Sequence, residues 1–327
     1  MSLFSEMNQS LKHVFFLQVI FNEPAQVRPW AFSAFFFTYI VTVTLNLVLF
    51  LLIILRKQLH KPVYIFLAYL LLMDIICSTT VLPRLMYSII INNQTRINLC
   101  FIQSFFIAFY AGMESYILGI MAIDRYLAVC HPLRYSVLMT NSKAHIVMWA
   151  TLCWSFLMVG VLHLLLLRLT FCKDVLPNVT CVTIAVVNLS CEDITVNSIC
   201  GIVLSLITIT FIITVVIVTY SLILYECLCS AQNSEGRSKA LHTCLTHCMV
   251  LSLFLFSVLF TIISLRLSDG KSSHVFQHLN DSFVYVLQPL ANPIIYGFRM
   301  AEIRHCLLLL PQRSLQKLMK WQSVKTI

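Results

Sequence analysis

Charged residues are scarce in this chain. Only 11% of its 327 residues are Asp, Glu, Lys or Arg, whereas a soluble domain carries about 25%. Together with a hydrophobic content of 59%, this composition excludes an ordinary soluble domain and indicates an integral membrane protein. Seven glycines and nine prolines are too few for a collagen-like or low-complexity chain.

Several sequence patterns that would indicate other functions are also missing. We find no HExxH or similar cluster of metal ligands, so an intramembrane metalloenzyme is not indicated. The last apolar stretch, residues 274–297, contains no lysine to which retinal would attach. There is no internal repeat of the kind from which many transporters are built. The sequence therefore predicts a membrane protein that is not an enzyme.

Long apolar stretches are what the chain does contain. A membrane-spanning helix needs about 20 largely apolar residues. Seven stretches meet this requirement, at residues 31–55, 63–90, 98–124, 144–167, 196–225, 240–265 and 274–297. We therefore predict an all-α membrane protein, built as a seven-transmembrane helix bundle with a short amphipathic helix after the seventh span.

The positions of lysine and arginine predict the orientation. Fourteen of the 22 basic residues fall on the side of the membrane that holds the C-terminal segment, so the positive-inside rule puts that side in the cytoplasm. The same distribution explains the net charge of +9 without nucleic-acid binding. We expect an extracellular segment (1–30), a seven-transmembrane domain (31–297), and a cytoplasmic amphipathic helix with a basic tail (298–327).

Glycosylation sequons and cysteines agree with this topology. Every Asn-x-Ser/Thr sequon falls outside the membrane or at its outer edge. Asn280 lies too close to the bilayer, which leaves Asn8, Asn93, Asn178 and Asn188 as candidate glycosylation sites. Four of the 13 cysteines are also placed outside, where disulfides form, namely Cys100, Cys172, Cys181 and Cys191. Four cysteines allow three connectivities, and spacing alone does not choose among them.

An acid and a base stand side by side where the third span ends, in the triplet Asp124-Arg125-Tyr126. A charge inside a membrane is costly, but a charge pair at the end of a span is less so. Such a pair can break and form again with a partner, which is what a switch requires. The alternative is an ordinary ion pair that anchors the span at the lipid headgroups.

Four stretches of the sequence carry a family resemblance. They read LHKPVYIFL (59–67), MAIDRYLAVCHPLRY (121–135), KALHTCLTH (239–247) and PLANPIIY (289–296). In this order they closely resemble the odorant receptors among the rhodopsin-like (class A) G-protein-coupled receptors. The chain departs from the family pattern at Leu45, at Ile123 and at Phe254-Leu255-Phe256. These departures favour a fish-type or otherwise divergent branch.

The resemblance implies a role for several groups of residues. It pairs Cys100 with Cys181 and Cys172 with Cys191, although a different pairing remains the alternative. It implies a sodium site at Asp74 and Glu114 near Asn46 and Asn292, the alternative being one shared proton and no metal. It also implies a switch through which the receptor contacts its G protein, at Asp124, Arg125, Tyr126, Tyr220, His247, Asn292, Pro293 and Tyr296. The alternative for the tyrosines is an interfacial position.

The ligand pocket is expected in the outer third of the bundle, with a mostly apolar lining. Its predicted residues are Ile107, Ala108, Ala111, Gly112, Gly201, Leu204, Ser205, Thr208, Val258, Leu259, Ile262, Arg266, His278, Asp281, Ser282 and Tyr285. Arg266 suits a carboxylate or other anion. The alternative is that Arg266 reaches the lipid headgroups or pairs with Asp269. An amine receptor of the same superfamily needs an acid near Ile107, and none is present.

The resulting hypothesis is an odorant receptor in the plasma membrane. It would bind a small organic odorant and activate a stimulatory, olfactory-type G protein to raise cyclic AMP. Its basic cytoplasmic faces suit anionic membrane lipids. It requires no cofactor, although a sodium ion is a candidate modulator, and nucleic acid is not a predicted partner. The alternative is a non-olfactory class A receptor for a small ligand such as an anion.

Overall fold

The computed structural model describes residues 14–17, 26, 28–91, 94–176, 180–229, 244–257, 260 and 274–308, with the backbone alone for 14–17 and 274–284. The described helices are α1 (Arg28–Leu55), α2 (Pro62–Ile90), α3 (Ile97–Cys130), α4 (Pro132–Leu138), α5 (Asn141–Leu167), α6 (Thr183–Val187), α7 (Thr195–Cys229), α8 (Cys244–Ser257), α9 (His274–Arg299) and α10 (301–308). Three short strands are β1 (Val14–Leu17), β2 (Gln94–Arg96) and β3 (Val175–Leu176).

The seven predicted spans correspond to α1, α2, α3, α5, α7, α8 and α9. Within the described ranges, α1, α2, α3, α5 and α7 are long and apolar enough to cross a membrane. The described part of α8 is a shorter apolar helix, Cys244–Ser257. Pro62 occupies the first turn of α2, where a missing N–H costs no hydrogen bond. The Thr140 side chain caps α5 by accepting a hydrogen bond from the Lys143 amide.

Helix α3 lies at the centre of the bundle and packs against α2, α5 and α7. The main core lies between α2 and α3, around fully buried Phe66, Leu70 and Met113. In contrast, α1 and α7 turn large apolar side chains outward, including Phe37 (69% exposed) and Ile217 (62% exposed). Outward apolar faces are what a helix needs when it borders lipid.

A small sheet joins the loops at one end of the bundle. Strand β1 pairs with β2 in antiparallel register and with β3 in parallel register. The sequence did not predict this sheet, because its strands are only two to four residues long and lie in loops. The sheet brings the N-terminal segment to the end of α3 that carries Cys100. This end is called the disulfide end below, and the opposite end is the Arg125 end.

The helix α10 at the Arg125 end is amphipathic, as predicted. Ile303 and Cys306 are buried against the core, whereas His305 is exposed. Glu302 on its outer side forms an ion pair with Lys61, at 2.7 Å, and accepts a hydrogen bond from the Tyr64 hydroxyl. These contacts tie α10 to the start of α2.

Candidate functional site

Two disulfides hold the loop between α5 and α7. Cys100 at the start of α3 is bonded to Cys181, and Cys172 is bonded to Cys191. The Cys181 amide also donates a hydrogen bond of 3.0 Å to the Gln103 side chain. The loop is thereby fastened over the disulfide end of α3, in the pairing that the family resemblance implies.

The candidate glycosylation sites can be placed only in part. Asn188, at the end of α6, is exposed, and its carbonyl accepts a hydrogen bond from Lys173. It belongs to the same disulfide-bonded loop. Asn8, Asn93 and Asn178 lie outside the described residues.

A cavity of about 440 Å³ lies inside the bundle between α3, α5, α7, α8 and α9. Its lining comprises Ala108, Tyr110, Ala111, Gly112, Glu114, Ser115, Tyr116, Ser155, Met158, Val159, Leu162, Leu204, Ser205, Thr208, Ile209, Phe254, Ser257, Tyr285 and Gln288. About half of these residues are apolar, and the others carry a hydroxyl, amide or carboxyl group. This combination is typical of a small-molecule site.

The structure brings seven predicted pocket residues together in this cavity, namely Ala108, Ala111, Gly112, Leu204, Ser205, Thr208 and Tyr285. Ile107 does not line the cavity because it is buried in the core, and Gly201 does not line it either. Val258, Leu259, Ile262 and Arg266 lie outside the described residues. The backbone of α9 includes His278, Asp281 and Ser282, whose side chains are not described.

The sequence did not predict the α5 wall of the cavity, formed by Ser155, Met158, Val159 and Leu162. Helix α5 is apolar on nearly all faces, and several of its large residues are exposed, Leu164 at 69%. A helix without a polar face gives no sequence signal for the side that faces the protein. The deep polar lining was also missed, apart from Glu114, which was predicted as a cation ligand.

A buried polar network lies below the cavity. The Asp74 carboxylate accepts hydrogen bonds from the Tyr110 hydroxyl, at 3.3 Å, and from the Asn292 amide, at 2.9 Å. Asn292 in turn accepts a hydrogen bond of 3.2 Å from Gln288. Glu114 is only 2% exposed, and its Oε1 accepts no hydrogen bond within the described part of the chain.

The network has oxygen atoms that fit a sodium ion. Oε1 of Glu114 and Oδ1 of Asn46 are both buried and without a hydrogen bond from any described residue. Oxygens of this kind suit a hard monovalent or divalent cation. The described residues contain no group of three or more His, Cys, Asp or Glu side chains placed to bind a metal ion. The donor set therefore fits an alkali cation rather than a transition metal.

Asn46 on α1 compensates for a hydrogen bond that Pro293 on α9 cannot form. Pro293 has no N–H, so it cannot donate to the carbonyl of Pro289 four residues earlier. The Asn46 Nδ2 group donates to that carbonyl instead, at 2.8 Å. The same group donates to the Thr42 carbonyl at 2.9 Å. Asn46 therefore satisfies a backbone acceptor that the proline leaves without a donor.

The acid and base at the end of α3 lie in contact. Arg125 is 3.8 Å from Asp124 Oδ2, and the Tyr135 hydroxyl donates a hydrogen bond of 2.7 Å to Asp124 Oδ1. Asp124 is fully buried, so both contacts offset the cost of burying its charge. Burial and the neighbouring Asp124 raise the pKa of Tyr135 well above its usual value, which keeps the phenol as the donor.

Other predicted switch residues make side-chain contacts of their own. Tyr220 on α7 and His247 on α8 share a hydrogen bond of 2.6 Å. The Tyr296 hydroxyl contacts the sulfur of Met121 at 3.9 Å, and Tyr126 is bonded to His131 at 3.2 Å.

A second cavity, of about 1030 Å³, opens beside Arg125. Lys61, Tyr135 and Arg304 are among the residues that line it. This end of the bundle therefore combines a buried charge pair with a wide basic opening that suits a protein partner.

Comparison with known proteins identifies the fold and the family. The model of the olfactory receptor family matches residues 35–312, which is most of the chain. The chain belongs to the olfactory receptor family. Olfactory receptor 8G17 of Mus musculus is 32% identical over 303 residues, which is 91% of this chain and 96% of the relative. Olfactory receptor 7G2 of Homo sapiens is 32% identical over 300 residues, or 91% of each chain.

A solved structure also supports the fold. The crystal structure of squid rhodopsin superposes with a TM-score of 0.72 at 16% sequence identity, and it covers 88% of this chain and 81% of the rhodopsin chain. The seven-helix architecture predicted from the sequence is thereby confirmed. As an olfactory receptor, the protein is an odorant-type G-protein-coupled receptor of the plasma membrane and not an enzyme.

Proposed function

We propose that this olfactory receptor binds a small organic odorant in the 440 Å³ cavity and then activates a stimulatory, olfactory-type G protein that raises cyclic AMP. The observation that carries the proposal is a continuous buried path. Glu114 and Gln288 line the cavity, Gln288 bonds to Asn292, and Asn292 bonds to Asp74. Pro293 follows Asn292 in α9, and Tyr296 lies one turn nearer to Arg125.

The proposed orientation places the disulfide end outside the cell and the Arg125 end in the cytoplasm. The excess of basic residues at the Arg125 end supports this. So do the two disulfides, since disulfides persist in oxidising compartments. Asn188 is then an accessible glycosylation site on the extracellular side.

The signal in this proposal is a shift between two helix packings. In one packing, Arg125 pairs with Asp124, and Tyr220 is bonded to His247. In the other, the Arg125 end opens and Arg125 faces the G protein, with Tyr220 and Tyr296 turned inward. The ligand shifts this equilibrium only by its difference in affinity for the two states.

The sodium site and an anionic ligand belong to this proposal as further elements. Asp74, Glu114 and Asn46 would hold the sodium ion, which would balance the buried negative charge. Arg266 would bind the carboxylate of an acid odorant. Arg266 lies outside the described residues, and its guanidinium and its place in the sequence support this role.

A cyclic-AMP assay in cells tests the proposal. The full-length receptor is exposed to pooled small acids, alcohols, aldehydes and amines, and the Arg125→Ala variant is measured beside it. We expect a concentration-dependent response that Arg125→Ala abolishes at equal surface expression. Arg96→Ala is the matched control, because Arg96 is exposed and lies at the disulfide end. An Arg125→Ala response equal to that of the wild type would contradict the proposal.

A further inference from the structure

The polar residues that line the ligand cavity differ in whether a ligand can reach them. Four of them keep accessible surface, namely Tyr116, Ser205, Thr208 and Tyr285. The other six are buried, with 6% exposure or less: Tyr110, Glu114, Ser115, Ser155, Ser257 and Gln288. The polar groups that a ligand meets at the described part of the lining are therefore hydroxyls.

A chain of hydrogen bonds determines what the Thr208 hydroxyl can offer. Thr208 Oγ1 donates its one hydrogen to the Leu204 carbonyl, at 3.0 Å. The indole N–H of Trp154 donates to the Tyr116 hydroxyl oxygen at 3.1 Å, and that oxygen lies 3.2 Å from Thr208 Oγ1. Because the Thr208 hydrogen is already used, Tyr116 is the donor in this last bond. A hydroxyl oxygen has two lone pairs, so Thr208 keeps one of them for a ligand.

Ser205 lies one turn before Thr208 on the same side of α7. It is exposed and forms no hydrogen bond with any residue in the described part of the chain, so its hydroxyl can both donate and accept. Residues three apart on a helix have Cβ atoms about 5 to 6 Å apart. One ligand oxygen, at a hydrogen-bond distance of about 2.8 Å from each hydroxyl, can therefore bridge Ser205 and Thr208.

The accessible lining offers no charge to a ligand. None of the described lining residues is Lys, Arg or His, and the one acid among them, Glu114, is buried. An ionised group loses hydration when it enters a cavity, and a few neutral hydroxyls do not replace it. The described lining therefore favours a neutral ligand over an acid or an amine.

We propose that the ligand is a small aliphatic alcohol whose hydroxyl donates a hydrogen bond to Thr208 Oγ1 and accepts one from Ser205 Oγ. This inference rests on the proposed function, and it names the ligand class of the same cavity. An alcohol oxygen donates and accepts at once, whereas an aldehyde or an ether only accepts. The alkyl chain lies against Met158, Val159 and Leu162, which form the apolar wall on α5.

A ligand series with one chain length tests the inference on the wild-type receptor. We compare n-hexanol, n-hexanal, n-hexanoic acid, n-hexylamine and methyl pentyl ether (an isomer of n-hexanol) by cyclic-AMP response in cells that express the full-length receptor. We expect the alcohol to be the most potent, by about 3- to 10-fold over the ether, because only the alcohol donates to Thr208. A receptor that prefers any other member would overturn the inference, and preference for the acid would point to Arg266.

Variants of the two hydroxyls separate the acceptor from the donor. Thr208→Val removes the acceptor at nearly constant size, so n-hexanol potency should fall by about 3- to 10-fold while n-hexanal potency changes by no more than about twofold. Ser205→Ala removes the donor and should weaken both ligands by about 3- to 10-fold. Thr208→Ser keeps the hydroxyl and should retain the n-hexanol response.

Thr210→Val is the matched control, because Thr210 lies on α7 outside the cavity and is exposed. Surface labelling reports expression of each variant. An equal loss of n-hexanol and n-hexanal potency in Thr208→Val would contradict the inference, since it would indicate disturbed packing instead of a lost acceptor. A response that depends on Arg125 but does not favour the alcohol would refute this inference alone. If no ligand gives a response that depends on Arg125, the proposed function fails, and the inference fails with it.

Discussion

The buried acids beside the cavity and at the Arg125 end each have one oxygen without a hydrogen bond from a described residue, but they differ in their charged neighbours. Asp124 accepts a hydrogen bond from Tyr135 and pairs with Arg125, so neighbouring side chains of the same chain compensate its charge. Glu114 lines the cavity, and no described residue forms an ion pair with it or donates a hydrogen bond to its buried Oε1 atom. An acid that pairs with a neighbouring arginine suits a resting switch, whereas a buried acid without a described ion-pair partner suits the binding of a cation. In the proposed function, the connection between the two regions runs through α9, which contains Asn292 and Pro293.

Asn46→Leu should have the largest effect, because it breaks this connection. The substitution removes the side-chain hydrogen bond that Asn46 donates to the Pro289 carbonyl and leaves a buried acceptor unsatisfied, at a cost of about 2 to 3 kcal/mol in stability. We expect the purified receptor to melt at a lower temperature and the response to agonist to be weaker. Melting in detergent and the cyclic-AMP assay measure the two effects.

Pro293→Ala provides the control for this interpretation. Alanine restores the N–H that can donate to the Pro289 carbonyl, so the double variant Asn46→Leu/Pro293→Ala should be more stable than the sum of the single effects predicts. Strictly additive melting temperatures would show that Asn46 does not act through this carbonyl.

Two glycines on α3 test the packing around this helix, and their substitution should have smaller effects than Asn46→Leu. A Cβ at Gly119 would lie 2.8 Å from Cε1 of Phe211, whose ring packs against Tyr116 at 5.2 Å. Gly119→Ala should therefore displace the Phe211 ring and cost about 1 to 2 kcal/mol. At Gly112, beside the ligand cavity, the nearest atom is Ser155 Oγ at 3.9 Å, so Gly112→Ala fits without strain.

The two alanine variants should separate stability from recognition. Gly119→Ala is expected to lower the melting temperature, while Gly112→Ala should leave it unchanged or raise it, since alanine favours the helix. Gly112→Ala should alter only agonist potency, because the added methyl group lies beside the cavity. Equal melting temperatures for both variants would contradict the close approach of Phe211 to α3.

The sequence could predict features that depend on local patterns. The seven spans follow from the length of apolar stretches, and the residues around Arg125 lie in contiguous motifs. The pairing of Asn46 with the Pro289 carbonyl joins α1 and α9, far apart in the chain, and no local pattern encodes it. The α5 wall at Met158 and Val159 was missed because α5 is apolar on nearly all faces. Glu114 and Gln288 meet beside the cavity because of the way α3 and α9 pack against each other, and no local sequence pattern encodes this packing.

Tyr135→Phe should have the smallest effect, and it acts on the Arg125 end alone. Among the described residues, loss of the 2.7 Å hydrogen bond leaves Asp124 with Arg125 as its partner. This loss weakens the resting state by about 1 kcal/mol, or roughly fivefold in the equilibrium. Basal cyclic AMP should rise severalfold while agonist potency rises only slightly. Tyr225→Phe, on an exposed face of α7 (66% exposed), is the matched control. Basal signalling that is equal in the wild type and Tyr135→Phe would show that Arg125 alone holds Asp124 in the resting state.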